Sequence, residues 1–234
     1  MTSSGARRGG SRFGAIVRSG LTRLADPGGF GRYAYANAAL NAEADSRPRV
    51  VFIGDSIIEG WAALQAIAPP DLCFINRGCA GQTSSQIRRR FERDVLDLTP
   101  SRVVILAGGN DLRAAWGRPA ARGRVVAPLI LCNVEAMVDA AAARGIGVAI
   151  AALTPLAWFS GARASVSRRD PVAIVEINAR LQSLAAARGA AFLDFHTALR
   201  DETGAMRRTF TDDGLHPNAA GYAALGGVVG QFIL

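Results

Sequence analysis

From residue 49 onward, short β-branched apolar runs alternate with longer helical patterns, and no other feature constrains the fold as tightly. Val50-Val51-Phe52-Ile53 is continuously apolar, as a strand covered on both faces must be. Leu72 to Ile75, Val103 to Leu106, Ile146 to Ala151 and Ala191 to Phe195 read the same way. Between them, Thr83 to Leu98 opens on cap-forming Thr83, Ser84 and Ser85 and carries Ile87, Phe91 and Val95 in steps of four, which predicts one helix. Val126, Ile130, Val134, Met137 and Ala141 form a second stripe, closed by Gly145. Asp170-Pro171 starts a third helix that Gly189 ends, and Pro217 starts a fourth running toward Phe232. Five such strands separated by helices predict an α/β protein: a three-layer α/β/α sandwich on a five-stranded parallel sheet. In such sheets ligands bind beyond the C-terminal strand ends, so chemistry is sought in the loops there.

Composition narrows the function classes. The chain has 234 residues and a net charge of +8, carried entirely by arginine on the basic side. Residues 1–49 hold eight arginines against three acids (net +5), so more than half of the excess lies in the first fifth of the chain. A basic surface for nucleic acid is therefore not favoured in residues 49–234. The chain divides into a basic N-terminal extension, 1–48, and one domain, 49–234. Within the extension, Phe13, Ile16, Val17, Leu21 and Leu24 recur at helical spacing among arginines, so residues 12–25 could make weak contact with a membrane surface or dock on the domain. Tyr33 to Leu40 is Ala-rich and predicted helical. Arg7-Arg8 is followed by no unbroken apolar stretch of signal-peptide length, which favours a cytoplasmic protein over an exported one. Three cysteines, Cys73, Cys79 and Cys132, contain no CxxC pair and fit reduced thiols, with neither a disulfide framework nor a Cys-rich metal site.

The strand-end loops contain a consistent set of reactive groups. Gly54-Asp55-Ser56-Ile57 follows the first strand, where Ser56 is either a helix cap or a nucleophile. Asn76-Arg77-Gly78-Cys79-Ala80-Gly81 follows the second, and its paired glycines let backbone N–H groups approach a bound atom. Cys79 is a rival nucleophile there, although no base adjoins it in sequence and a packed thiol is the plainer role. Gly108-Gly109-Asn110-Asp111 follows the third strand, and an Asn amide at that point can donate to a developing oxyanion or simply form a turn. The chain has two histidines. His216, in Asp213-Gly214-Leu215-His216-Pro217, has an acid three residues before it to fix its tautomer, whereas His196 is expected to be half packed.

Taken together, Gly-Asp-Ser-Ile, Asn-x-Gly-x-x-Gly, Gly-x-Asn-Asp and Asp-x-x-His-Pro resemble the SGNH hydrolases of the GDSL esterase/lipase group over residues 49–234, with Ile57 replacing the usual Leu. The resemblance implies a flavodoxin-like fold and a serine ester hydrolase. Ser56 would be the nucleophile, His216 the base and Asp213 its orienter. Ser56, Gly81 and Asn110 would form the oxyanion hole. It implies a small-molecule ester substrate, no metal and no cofactor. Asp55, Trp158, Phe159 and Arg113 are candidate substrate contacts, and Trp116 and Arg77 are further candidates near strand ends. Trp61, one turn beyond Ser56, is expected in the core. The second block and the lack of a large inserted lid favour a short-chain, acetyl-type ester. The alternatives are a lysophospholipase or acyl thioesterase, and, outside enzymes, a flavodoxin-like binding protein. The last lacks the phosphate-cradling glycine loop it would need after the first strand.

Overall fold

The computed structural model describes residues 26, 28–114, 122–162, 166 and 169–233. The arginine-rich pattern at 12–25 and Trp116 lie outside the described residues. Strands β1 (Arg49–Gly54), β2 (Cys73–Gly78), β3 (Arg102–Leu106), β4 (Gly147–Ala151) and β5 (Ala191–Leu193) form one sheet in the order β2-β1-β3-β4-β5, all pairs parallel. The apolar runs form its centre, where Val50 to Ile53 and Val103 to Ile105 are fully buried. Helices flank the sheet, giving the expected sandwich. Helix Arg122–Ala142 packs against both Ser84–Arg89 and Pro171–Arg188, and Ala219–Ile233 packs on Phe195–Leu199.

Trp61 is core, as expected. Its ring meets Phe52 and Phe195 edge-on and stacks on Tyr222 at 5.5 Å. Such aromatic groups bury large apolar areas, and here they fix the element that follows β1 against the last helix.

The helix expected over 83–98 is broken into Ser84–Arg89, Phe91–Asp94 and a 3₁₀ turn Leu96–Leu98. The break falls at Arg90, whose side chain turns inward and is fully buried. Its guanidinium donates to Gln82 Oε1 (2.6 Å), Asp94 Oδ2 (3.1 Å) and the Gly54 carbonyl (2.9 Å). A buried cation must be paired and hydrogen-bonded, and a straight helix is given up to achieve it. Arg90→Met removes one charged partner of buried Asp94 and one of the two donors to Gly54 O, leaving the Cys79 N–H. We expect a loss of about 3 kcal/mol in urea unfolding, softened by the remaining Asn37 and Arg93 bonds to Asp94. A loss below about 1 kcal/mol would show that the network carries little stability.

Part of the N-terminal extension packs on the domain. Helix Ala34–Ala42 contributes Asn37, which is buried and donates to Asp94 Oδ1 at 2.9 Å. The Gly28 carbonyl accepts from Gln82 Nε2 at 2.6 Å, and the Tyr33 hydroxyl donates to the Gly78 carbonyl.

Candidate active site

The order β2-β1-β3 places the switch point of a doubly wound sheet between β1 and β3, where a crevice opens beyond the strand ends. Ser56 follows β1 and Asn110 follows β3, so they flank that crevice.

The turn after β1 decides what Ser56 does. Asp55, not Ser56, is the cap of helix Ser56–Glu59: Asp55 Oδ1 accepts the Ile57 N–H at 3.0 Å. The serine hydroxyl is thereby released from capping and lies 2.9 Å from His216 Nε2. Two long-range bonds pin this short helix. Tyr222 Oη donates to the Ile57 carbonyl at 2.8 Å, and Asn76 Nδ2 donates to the Ile58 carbonyl at 2.6 Å. Gly78 at the end of β2 is required for this packing, because a Cβ there would lie 2.0 Å from the Glu59 nitrogen.

His216 is held by its own loop. Asp213 Oδ1 accepts the N–H groups of Leu215 (2.9 Å) and His216 (2.8 Å), and its Oδ2 lies 2.7 Å from His216 Nδ1. A carboxylate can only accept, so Nδ1 carries the proton and Nε2 is left to accept from Ser56 Oγ. Burial opposes ionisation of Asp213, but the bonds from the His216 ring and from two backbone N–H groups outweigh it and hold its carboxyl below the usual range. His196 lies in a different helix, Phe195–Leu199, and burial lowers its affinity for a proton.

The loop after β2 is bonded to the segment that carries Ser56. Gly81 adopts a left-handed φ of +82°, which favours glycine, and a Cβ there would meet nothing within 4 Å. Its neighbours are committed elsewhere: Cys79 N–H to Gly54 O at 2.9 Å, Ala80 N–H to Glu59 Oε2, and Gln82 N–H to Cys79 O at 3.3 Å. Among the described residues, neither the Gly81 N–H nor the Ser56 N–H has an acceptor. The third donor, Asn110 Nδ2, contacts Asp55 Oδ2 at 3.2 Å and the Gln82 carbonyl at 3.1 Å. Both are at the long end for such bonds, and a charged oxyanion would be a stronger acceptor than the carbonyl. Ser–His–Asp geometry of this kind can attack a carbonyl, and donors aimed at the resulting oxyanion would stabilise it. Asn110→Ala should lower kcat about 10²–10³-fold with little change in KM, as initial rates on an activated ester would show.

The other candidates separate. Asp55 is buried beneath the serine and bonded to Ile57 and Asn110, and burial holds its carboxyl above the usual range. Asp111 holds the start of the earlier helix Ser84–Arg89, accepting from Ser84 N–H (2.8 Å) and Oγ–H (2.7 Å). Arg113 is exposed. Trp158 is 48% exposed, and Phe159 lies under the Arg208 guanidinium. Their loop is tied to the histidine loop by Ala157 N–H donating to the Gly214 carbonyl at 2.9 Å. Arg77 is not at the site. It is buried, donates to Asn37 Oδ1 at 2.8 Å and lies over the Tyr33 ring. Cys79 is buried and desolvation pushes its thiol up, which disfavours the reactive thiolate.

Two residues that no motif flagged complete the surroundings. Arg169 is buried and donates to Asn110 Oδ1 (2.9 Å) and the Gly109 carbonyl (3.0 Å). Asn178 clamps the backbone of Leu153 from both sides, accepting its N–H at 2.7 Å and donating to its carbonyl at 2.9 Å. Among the described residues, no group of three or more His, Cys, Asp or Glu is gathered as metal ligands would be, and no helix is long and apolar enough to cross a membrane.

Comparison with known proteins gives a consistent picture. The model of the GDSL-like lipase/acylhydrolase family matches residues 52–224. A GDSL-like lipase from Bacteroides thetaiotaomicron is 32% identical with a TM-score of 0.74, covering 88% of this chain and 97% of its own. A protein assigned as an acylhydrolase from Bacteroides fragilis is 31% identical with a TM-score of 0.73, covering 88% and 96%. An acetylxylan esterase from Geobacillus stearothermophilus shares the fold at 18% identity and a TM-score of 0.62, covering 80% and 94%. No curated protein matches the sequence.

Proposed function

Because the chain belongs to the GDSL-like lipase/acylhydrolase family, and is thus a carboxylic ester hydrolase, we propose that it hydrolyses short-chain, acetyl-type esters through an acyl-enzyme on Ser56. His216 Nε2 takes the Ser56 proton as Oγ bonds to the ester carbonyl carbon. The carbonyl oxygen becomes an oxyanion facing the N–H groups of Ser56 and Gly81 and the Asn110 amide. Collapse breaks the bond to the leaving alcohol, which receives the proton from His216. A water then repeats the sequence, giving its proton to His216 and releasing the acid. Asp213 keeps the imidazole oriented and stabilises its charged form throughout.

The size of the pocket beside Ser56 carries the short-chain reading. Leu106, Leu153, Leu156, Ile174 and Leu215 close around it and leave about 30 Å³. A single water needs roughly 10–15 Å³ of such space, so the pocket suits an acetyl or propionyl group. The Asn178 clamp on Leu153 keeps that wall from retreating to admit a longer chain. Exposed Trp158 and the Phe159–Arg208 pair adjoin the histidine loop and form the wall we assign to the leaving group.

A chain-length series of p-nitrophenyl esters, with acetylated sugars and a lysophospholipid included, tests this reading. We expect maximal kcat/KM at the acetyl ester and a steep fall by C6. A maximum at C8 or beyond, or a preference for the lysophospholipid, would contradict it.

A further inference from the structure

We infer that Arg169 is a positioning residue for ester hydrolysis, one that fixes and polarises the Asn110 amide as an oxyanion donor; this rests on the assignment of Ser56 and Asn110 above. Asn110 sits in a line of charge. On one side its Oδ1 accepts from the Arg169 guanidinium at 2.9 Å, and on the other its Nδ2 faces the buried Asp55 carboxylate at 3.2 Å. The second Nδ2 contact is the Gln82 carbonyl, also an acceptor.

These partners leave the amide only one acceptable orientation. Reversed, its oxygen would face a carboxylate and a carbonyl, and its N–H groups would face a cation. Without Arg169, Oδ1 is buried with no charged donor, and the two orientations come closer in energy. Only the present one keeps the nitrogen beside Asp55, the residue before Ser56. The cation also draws electron density toward Oδ1, which makes the N–H groups better donors to a negative oxygen.

Arg rather than Lys suits the position. Its fork reaches Asn110 Oδ1 with one nitrogen and the Gly109 carbonyl with another, so it holds the side chain and the turn that carries it together. Arg169 also lines the small pocket beside Ser56, in an apolar wall where a charge acts strongly. Its separation in sequence from Asn110 (59 residues) explains why no local motif contains it.

The test is a double-mutant cycle on a p-nitrophenyl acetate assay, with folding checked by thermal unfolding. Arg169→Met should lower kcat about 10–10²-fold and change KM less than about threefold, because the lost interaction is realised in the transition state. Arg169→Gln, which keeps a neutral donor near Oδ1, should retain more kcat than Arg169→Met. In the Asn110→Ala background, Arg169→Met should cost less than about threefold further, since the amide through which it acts is gone. If Arg169→Met fails to fold, the same cycle run with Arg169→Gln decides. Wild-type kcat in the single variants, or losses that multiply fully with Asn110→Ala, would overturn the inference. Turnover surviving in Ser56→Ala would instead overturn the assignment on which it rests.

Discussion

Ser56→Ala should lower ester hydrolysis about 10⁴–10⁶-fold while leaving the fold and its thermal stability nearly unchanged. The activity loss is large because the hydroxyl lies 2.9 Å from an imidazole nitrogen whose other side is held by a carboxylate. The stability effect is small because the serine does not cap its own helix. Asp55 does so through the Ile57 N–H, and Tyr222 and Asn76 pin the same helix through its carbonyls. The residual rate would come from the oxyanion donors acting on a water. Steady-state rates on an acetyl ester, beside a melting curve, check both halves of the prediction. A folded variant with more than about a tenth of wild-type activity would show that Ser56 is not the nucleophile.

His216→Ala should have an effect of the same order, and combining it with Ser56→Ala should cost little more, because the pair acts as a unit. His196→Ala is the control. That residue is half-buried beside Asp194, in the helix after β5, and it makes no hydrogen bond to Ser56. We expect its variant to keep kcat within about twofold. The opposite pattern, activity lost with His196 and kept with His216, would move the base to the edge strand β5, which is not adjacent to β1.

Much of the candidate site is legible in the sequence because each motif is local. Each is a handful of residues at a strand end, and the strands themselves stand out as apolar runs buried on both faces. Local spacing even implies that Asp213 serves His216, since three residues separate them. What was not legible depends on side chains that reach across the fold. Arg169 reads as one more arginine before the Asp170-Pro171 helix start, and only the folded chain brings it to Asn110. Asn178 sits inside a helical stretch, yet it holds the end of β4. Arg90 breaks a helix whose apolar spacing is continuous, because the demand for a buried counter-charge and for the Gly54 carbonyl is invisible to periodicity. Arg77 shows the reverse error. It belongs to a catalytic-looking block, but strand alternation points it away from Asn76, into Tyr33 and Asn37. The residues ahead of β1 offered no chemical signature, although Tyr33 and Gly28 bond to Gly78 and Gln82 on either side of the loop after β2, and Asn37 bonds to Asp94.

The most direct test of the central claim is covalent capture of the nucleophile. The full chain would be treated with a fluorophosphonate, and the labelled peptide identified by mass spectrometry. A serine reacts with such a probe only when a base takes its proton and donors hold the phosphoryl oxygen. Our account predicts one adduct, on Ser56, that is absent in Ser56→Ala and forms far more slowly in His216→Ala. An unlabelled wild-type chain, or an adduct on any residue other than Ser56, would contradict it.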